Sequence, residues 1–522
     1  MEVIKKNLHM ERIRLEASTQ IVVNEDVNLS DSKPDIAGIK LSGHKLRIGE
    51  ISPGTDVVDI KGELIYRVLY YSEEGNGILE SFSGSLLIEE TLHMQGVTSF
   101  DKVNISTDVT DFSIGMLNSR KLNVNGIVEL KAEVMELYDI EIPVEIAGDE
   151  SVEYRRYTER LTELVVCRHE EVNLQGETDI PNGYPGIDEI LWSEVNLSDV
   201  DFKPKDGSIT MRGQLILTGL YLAEGDRRNV QSFEFSEQFT KELDCTDCTM
   251  QSIPDVLYSI ESHKVLVRPD GDGEERRIAW DVDMELDIHV YREEPVEVIA
   301  DVYGVKGNIL AQTQATVLQQ LQCRTNGKTK LSETIRIPKN GPRILQILYS
   351  YAEILPVKMQ RKDTSISLSG NLSLNMIYIS GDDAMPYVSL QSLLPYEYEM
   401  EIHKNMDKIS SDDIIMEEVD AHLEQLQVTL LNGEELDVKA LLSFSVTGFW
   451  PMKMELIREV QVVDTKQSIT EDLPGMAVYM VKDGDNLWNI GKKYLVPVDK
   501  IRSLNELSSD VLTEGQKLLI VR

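Results

Sequence analysis

Three stretches of the chain share one pattern, and this repeat constrains the fold more than any other feature. In each stretch apolar and polar residues alternate, with Gly at the fifth position and Tyr at the thirteenth, which predicts a long strand with one apolar face. The stretches are 58–70, 209–221 and 366–378. A proline followed closely by Ile precedes the Gly by 28 residues in every copy, at Pro34, Pro185 and Pro342 (62 − 34, 213 − 185, 370 − 342). This constant register predicts three copies of one structural unit.

The spacing of the copies indicates their size. The prolines recur with a period of 151 to 157 residues (185 − 34 and 342 − 185), which is too long for a solenoid repeat and typical of a whole domain. A second alternating run closes each unit, at 122–134, 278–290 and 436–446. We therefore predict a mainly β protein with three tandem antiparallel β-sandwich-like domains, at 1–155, 156–310 and 311–463. The polar stretches 150–160 and 304–314 are predicted to connect them.

The repeated Gly and Tyr have a structural and a functional interpretation. A Gly inside a strand allows close approach of a neighbour, and a Tyr at a strand end fills the edge of a core while its hydroxyl reaches water or a backbone carbonyl. The structural interpretation is favoured.

A different pattern occupies the end of the chain. Residues 464–475 are polar and predict a tether that lets residues 476–522, the tip, move relative to the rest. The tip contains a β-type run at 478–481, a turn in which Asp485 is placed to cap a helix, and a second β-type run at 517–521. Two short helices are predicted between them, with buried faces formed by the following residues: Leu487, Ile490, Tyr494, Val498, Ile501 and Leu504.

The tip resembles the LysM module through Tyr479-x-Val481-x-x-Gly484-Asp485-x-Leu487-x-x-Ile490, Asn505-x-Leu507 and Leu512-x-x-Gly515-Gln516-x-Leu518-x-Ile520. The resemblance implies a small βααβ domain whose two loops form a shallow groove for glycans that contain N-acetylglucosamine. The residues it assigns to ligand or partner binding are Gly484, Asp485, Asn486, Leu487, Trp488, Asn505, Glu506, Leu507 and Ser508.

Trp488 is turned by about 100° from Leu487 on a helix, at the border of the buried face. It is interpreted as a contact residue, the alternative being that it covers the small core of the tip.

Charge and targeting limit the partners. The chain has 52 Lys and Arg against 90 Asp and Glu, a net charge of −38, which argues against nucleic acid or an anionic membrane as a direct partner. No transmembrane segment and no apolar signal region are visible, and four cysteines are too few for a disulfide framework. A cytoplasmic protein is expected.

Three such β domains before one LysM module resemble the SipL family of spore-coat proteins, with SpoVID as a distant counterpart and SPOCS as the name of the repeated domain. The resemblance implies a morphogenetic protein in the cytoplasm of the mother cell, at the forespore surface and in the spore coat. Its implied partner is a SpoIVA-like coat ATPase, with other coat proteins and a GlcNAc-containing glycan as further candidates.

No pattern predicts catalysis, a metal site or a cofactor. Cys245-x-x-Cys248 lacks a second pair of ligands and is interpreted as two free thiols rather than a metal or redox site. The segment 270–275 lacks the final Glu of a calcium loop and is interpreted as a hairpin turn. Three hypotheses follow, in order of preference: a non-enzymatic scaffold that binds the coat ATPase through its tip, a protein that binds peptidoglycan or its precursor, and an enzyme with a LysM tail.

Overall fold

The computed structural model describes residues 2–72, 78–148, 151–225, 229–306, 308–338, 341–362, 365–382, 384–401, 416–463 and 475–522. Nearly all of these residues lie in antiparallel strands, as the alternation predicts. The predicted tether at 464–475 lies outside the described residues except for Gly475.

Each of the three copies contributes one set of strands. The first has β1 (Glu2–Asn28), β2 (Gly38–Pro53), β3 (Val57–Ser72), β4 (Ile78–His93), β5 (Val103–Asn118) and β6 (Lys121–Ala147). The second has β7 (Val152–Asp179), β8 (Ile187–Lys205), β9 (Ser208–Ala223), β10 (Val230–Asp244), β11 (Ile253–Pro269) and β12 (Glu275–Gly304). The third has β13 (Asn308–Arg336), β14 (Ile344–Ile354), β15 (Lys358–Arg361), β16 (Ser365–Ser380), β17 (Tyr387–Glu401), β18 (Met416–Asn432) and β19 (Glu435–Val463).

Every copy folds these strands into the same two sheets. In a long-strand sheet the first, last and penultimate strands pair, in the orders β1-β6-β5, β7-β12-β11 and β13-β19-β18. The intervening strands form a meander sheet, in the orders β2-β3-β4, β8-β9-β10 and β14-β16-β17, with β15 also paired to β16. Buried apolar residues from both sheets form the core of each copy, as one cluster in the second copy and as two clusters in the first and in the third. The predicted mainly β, antiparallel fold is confirmed.

The repeated Pro and Tyr are explained by one hydrogen bond. The hydroxyl groups of Tyr70, Tyr221 and Tyr378 donate to the carbonyl oxygens of the three repeated prolines, at 3.1, 3.3 and 3.1 Å. All three rings are buried. The constant spacing therefore keeps a phenol at the end of the central meander strand opposite the backbone carbonyl oxygen of the repeated proline.

The repeated Gly allows close packing, as the structural interpretation predicts. A Cβ atom would lie 2.6 Å from the carbonyl oxygen of Arg47 at Gly62, 2.8 Å from the Phe239 ring at Gly213, and 2.5 Å from the Tyr396 hydroxyl at Gly370. No side chain fits at these distances.

The copies also share a core. The outer faces of the three meander sheets meet in an axial cluster of buried residues: Leu41, Leu69, Leu79, Leu191, Trp192, Leu220, Leu222, Val230, Leu348, Tyr349, Tyr351 and Ile377. Leu69, Leu220 and Ile377 each lie directly before the repeated Tyr, so equivalent positions face one another across the centre. The three copies are therefore arranged around a common axis.

Each junction at the axis also has a polar contact. Arg67 of the first copy donates to Glu194 of the second at 2.5 Å and lies 4.6 Å over the Trp192 ring. Thr218 of the second copy and Tyr349 of the third are hydrogen bonded at 3.1 Å. The hydroxyl of Tyr351 closes the ring by donating to the carbonyl oxygen of Ser42 in the first copy, also at 3.1 Å.

A second shared cluster lies along the outer halves of the long strands. This stem cluster contains Leu8, Met10, Ile140, Ile142, Leu161, Val296, Val298, Leu318, Met454 and Leu456. The stretches 150–160 and 304–314, predicted as connections, were interpreted wrongly, because their described residues lie almost entirely in β7, β12 and β13 beside this stem. Their outward-facing side chains made them look like loops. The proposed domain boundaries at 155/156 and 310/311 fall within the first residues of β7 and β13.

Two further sequence interpretations are decided by local structure. Segment 270–275 is the hairpin turn between β11 and β12, as predicted. Cys245 and Cys248, predicted to be free thiols, form a disulfide, so that prediction is wrong. The amide of Cys248 donates to the carbonyl oxygen of Cys245 at 2.9 Å, and this tight turn brings the two sulfur atoms together.

Candidate functional site

The tip folds as the sequence predicts, in the order strand, helix, helix, strand. Its elements are β20 (Met476–Met480), α1 (Leu487–Tyr494), α2 (Val498–Leu504) and β21 (Lys517–Val521). Its core contains Val481, Leu487, Ile490, Val496, Ile501, Leu518 and Ile520. One predicted core position is wrong: Leu504 is the last residue of α2 and is 40% exposed, so only Ile501 of this helix is fully buried.

The first predicted groove loop is held by its own side chains. The carboxylate of Asp485 accepts hydrogen bonds from the backbone of Lys482 and the hydroxyl of Tyr479, both at 2.8 Å. The Lys482 amide is the main cause of the lowered pKa of Asp485. The helix cap is Asn486, whose side chain accepts from the amide of Asn489 at 2.8 Å. The assignment of the cap to Asp485 is therefore wrong, since its carboxylate turns back toward β20.

The second predicted loop is anchored by one residue. The side chain of Asn505 donates to the carbonyl oxygens of Ile501 and Leu519 and accepts from the amide of Leu519. The side-chain amide of Asn505 therefore links α2 to β21, and its hydrogen-bonding groups are engaged inside the tip. Beyond it, Glu506 and Ser508 are exposed and Leu507 packs partly against the core.

Trp488 is buried by the rest of the chain. Its indole is 8% exposed, lies 4.9 Å from the Tyr303 ring and is covered on another side by Arg155, at 5.7 Å. The indole N–H donates to Asp301 at 2.8 Å. Trp488 is thus a contact residue between the tip and β12, and its assignment to an external partner stays a prediction.

Polar groups complete this docking contact. The ammonium of Lys492 donates to both carboxylate oxygens of Asp301, at 2.7 and 2.8 Å. Burial raises the pKa of Asp301, but hydrogen bonds from Lys492 and Trp488 outweigh burial, and the pKa lies below its usual value. The hydroxyl of Tyr303 donates to the carbonyl oxygen of Val496 at 2.8 Å.

The outer face of the tip sheet is an exposed apolar surface that the sequence analysis missed. Met476, Val478 and Met480 alternate along β20 and are 64%, 67% and 57% exposed. Their cross-strand partners on β21 are Val521, Leu519 and Lys517. Strand alternation, which was used only to find the core, could have revealed this face.

Of the nine predicted binding residues, the structure therefore places Leu487 and Trp488 inside, and Gly484, Glu506 and Ser508 at the surface. The side chains of Asp485, Asn486 and Asn505 hold the two loops in position, so they shape the groove more than they offer free groups to a ligand.

Family matches agree with this architecture. Residues 479–521 match the LysM domain, and residues 35–117 and 186–267 match the family described as "SipL, SPOCS domain". The chain is thus a multidomain β protein with a C-terminal LysM domain. More particularly, it carries the SPOCS domains of SipL. The third copy has the same strand order as the two matched copies.

Three curated relatives match a short stretch of this chain and a small part of their own length. The probable peptidoglycan endopeptidase LytE of Bacillus subtilis is 50% identical over 40 residues, which is 8% of this chain and 12% of that protein. An N-acetylmuramoyl-L-alanine amidase of Staphylococcus saprophyticus is 48% identical over 42 residues, or 8% and 13% of the two chains. A probable N-acetylmuramidase of Lactococcus lactis is 50% identical over 42 residues, or 8% and 10%. No solved structure matches this chain significantly.

Within the described residues, no helix is long and apolar enough to cross a membrane. One group of metal-ligating side chains comes together there, formed by Glu11, Cys167 and His289.

Proposed function

We propose that this chain is a non-enzymatic scaffold of the spore coat that binds a SpoIVA-like basement-layer ATPase through its LysM tip. In this role it acts in the cytoplasm of the mother cell, at the forespore surface, and promotes encasement by the coat. The observation that carries the proposal is the combination of SipL SPOCS domains with a C-terminal LysM domain in one chain.

The shape of the body supports a scaffold. The three sandwiches share the axial cluster and the stem cluster, so they form a packed support for the tip and not a series of flexibly linked domains. The tip lies at the end of this support, where β12 contacts α1 through Asp301. Such an arrangement presents one face of the tip outward and at a constant angle to the body.

The surface of the tip supports a protein partner. The exposed row of Met476, Val478 and Met480 is apolar, and side chains of this kind form the centres of protein interfaces. Trp488, the aromatic residue best suited to stack on a sugar ring, is covered by Tyr303 and Arg155.

The test uses the full chain, immobilised, with the purified SpoIVA-like ATPase in solution. If the outer face of the tip sheet is the contact, Val478→Asp is expected to weaken binding at least tenfold. If the predicted groove is the contact, Ser508→Arg is expected to weaken binding by at least the same factor. Val22→Asp is the matched control, since Val22 is equally exposed, at 74%, but lies on β1 of the body. Unchanged binding by both tip variants, or equal loss in the control, contradicts the proposal that the tip captures the ATPase.

A second candidate function is recognition of peptidoglycan or its precursor. The observation that favours it is the near 50% identity of a stretch of 40 to 42 residues, about the length of the LysM match, to proteins named as a peptidoglycan endopeptidase, an N-acetylmuramoyl-L-alanine amidase and an N-acetylmuramidase. Co-sedimentation of the full chain with insoluble peptidoglycan tests it, and soluble GlcNAc oligomers are expected to compete. Ser508→Arg should abolish this binding while Val478→Asp leaves it intact, because the glycan groove and the sheet face are different surfaces.

A further inference from the structure

Three side chains that can bind a metal meet between the first and second copies. Glu11 lies on β1, Cys167 on β7 and His289 on β12, and one ligand atom from each lies within 4.8 Å of the others. Cys167 and His289 are direct cross-strand partners, and Glu11 approaches them from the neighbouring copy. The set is therefore assembled by the packing of two domains.

The distances suit a common ligand. The Sγ atom of Cys167 lies 3.4 Å from Nε2 of His289, and the same Nε2 lies 3.4 Å from Oε2 of Glu11. Around a tetrahedral ion with metal–ligand bonds of about 2.0 to 2.3 Å, neighbouring ligand atoms are separated by roughly 3.3 to 3.7 Å. The observed separations lie in this range.

The arrangement differs from a catalytic triad. In a triad the imidazole contacts the nucleophile through one ring nitrogen and the acid through the other. Here Cys167 and Glu11 both approach the single nitrogen Nε2 of His289. Three atoms that converge on one point suit the coordination of an ion and do not suit proton relay along the ring.

One oxygen of Glu11 has no hydrogen-bond partner among the described residues. Glu11 is only 4% exposed, and this buried oxygen, Oε2, faces Cys167 and His289. Its contact with His289, at 3.4 Å, is longer than the 2.7 to 2.9 Å of a charge-assisted hydrogen bond. The other oxygen, Oε1, accepts from the hydroxyl of Tyr291 at 2.5 Å, which orients the carboxylate. Hydrogen bonds of this kind commonly position metal ligands.

Metal binding at this cluster requires the thiolate form of Cys167 and a neutral imidazole at His289, so a bound metal ion takes the place of protons on these side chains.

We propose that Glu11, Cys167 and His289 bind one Zn²⁺ ion, with a water molecule as the fourth ligand. Thiolate, imidazole and carboxylate together are a ligand set that zinc accepts, whereas magnesium and calcium prefer oxygen alone. The ion links β1 of the first copy to β7 and β12 of the second. Its role is structural, close to the stem that carries the tip, and it does not depend on the partner of the tip.

Cobalt(II) substitution tests the site in the full-length protein after removal of metal with a chelator. One equivalent of Co²⁺ is expected to produce two signals: a thiolate-to-cobalt charge-transfer band in the near ultraviolet, and the visible absorption bands of a four-coordinate cobalt ion. One equivalent of Zn²⁺ should remove both signals. Cys167→Ser should abolish the near-ultraviolet band. Cys323→Ser is the matched control, because Cys323 lies outside the disulfide and in the core of the third copy, far from Glu11 in sequence.

A second variant keeps the test informative if Cys167→Ser disturbs folding. Tyr291→Phe preserves the ring between His289 and Phe449 but removes the hydroxyl that holds Glu11, and it should weaken Zn²⁺ binding about tenfold. Absence of the charge-transfer band in the wild-type protein, or its persistence in a folded Cys167→Ser variant, overturns the proposal and leaves a hydrogen-bonded cluster only.

Discussion

The three β copies and the tip are attached to one another in different ways. The copies share the apolar axial cluster, in which Trp192, Tyr349 and Leu69 come from different copies. The tip has a complete core of its own and contacts the body through polar groups, chiefly Asp301 with Trp488 and Lys492. Burial of apolar surface stabilises a contact strongly over a range of geometries. The stabilisation by a few hydrogen bonds, in contrast, depends on the charge and the position of each group. The copies should therefore unfold together and the tip should detach alone.

The largest expected effect comes from removing the shared centre. Trp192→Ala deletes a buried indole that contacts the first and third copies, and it should lower the free energy of unfolding by about 3 to 5 kcal/mol. Differential scanning calorimetry should show the transitions of all three copies moving to lower temperature. Leu266→Ala, at an exposed site on β11, is the control. A shift confined to the second copy would mean that the copies are independent, as the tandem-domain prediction from sequence implies.

The docking contact of the tip should break at a smaller cost. Asp301→Asn removes the charge that Lys492 and Trp488 share but keeps one acceptor oxygen, so it should weaken docking by about 1.5 to 3 kcal/mol in total. Amide hydrogen exchange should rise in β12 around Tyr303 and in α1, while the melting of the tip itself stays unchanged.

The control for this variant is Asp287→Asn, on the same strand, where the exposed carboxylate contacts the ring of exposed His169 at 2.9 Å. Unfolding of the tip in Asp301→Asn would contradict the view that its core is self-sufficient.

A still smaller effect, of equal size at all three sites, is expected at the repeated tyrosines. Tyr70→Phe, Tyr221→Phe and Tyr378→Phe each leave a proline carbonyl oxygen without its partner, at a cost of about 1 kcal/mol per site. Chemical denaturation measures this, and markedly different costs among the three sites would show that the copies do not use the shared hydrogen bond equally. Exposed Tyr184→Phe is a suitable control.

Acid should release the tip before it unfolds the body. The pKa of Asp301 is lowered in the docked state, so its stabilising effect is present above the ordinary carboxyl value of 3.8 and is lost as the pH falls below that value. Protection factors of the α1 amides, corrected for the intrinsic pH dependence of exchange, should fall between pH 6 and pH 3 in the wild-type protein, and Asp301→Asn should show a flatter profile. An equal fall in both proteins would assign the acid response to another group.

Local patterns were sufficient for the elements and for the repeat. Alternation identified the central meander strands, and the apolar spacing around Leu487 and Ile490 identified the first helix of the tip. The prediction of a helix cap was wrong by one residue at Asp485, and two strand segments were taken for connections. Both errors occurred where polar side chains suit more than one backbone conformation. The location of Trp488 at the border of a buried face was correct, but the group that covers it comes from β12, nearly two hundred residues earlier.

By itself, the sequence determined that one β unit is repeated three times and is followed by a LysM module. Strand periodicity, the Pro–Gly–Tyr register and the LysM spacing are properties of neighbouring residues, and short-range sterics and burial decide them. Only the tertiary structure decided that the copies close around an axis, that Trp488 faces Asp301, and that Glu11 meets Cys167 and His289. Those contacts join residues far apart in the chain, and they depend on how whole sheets pack, which no local pattern specifies.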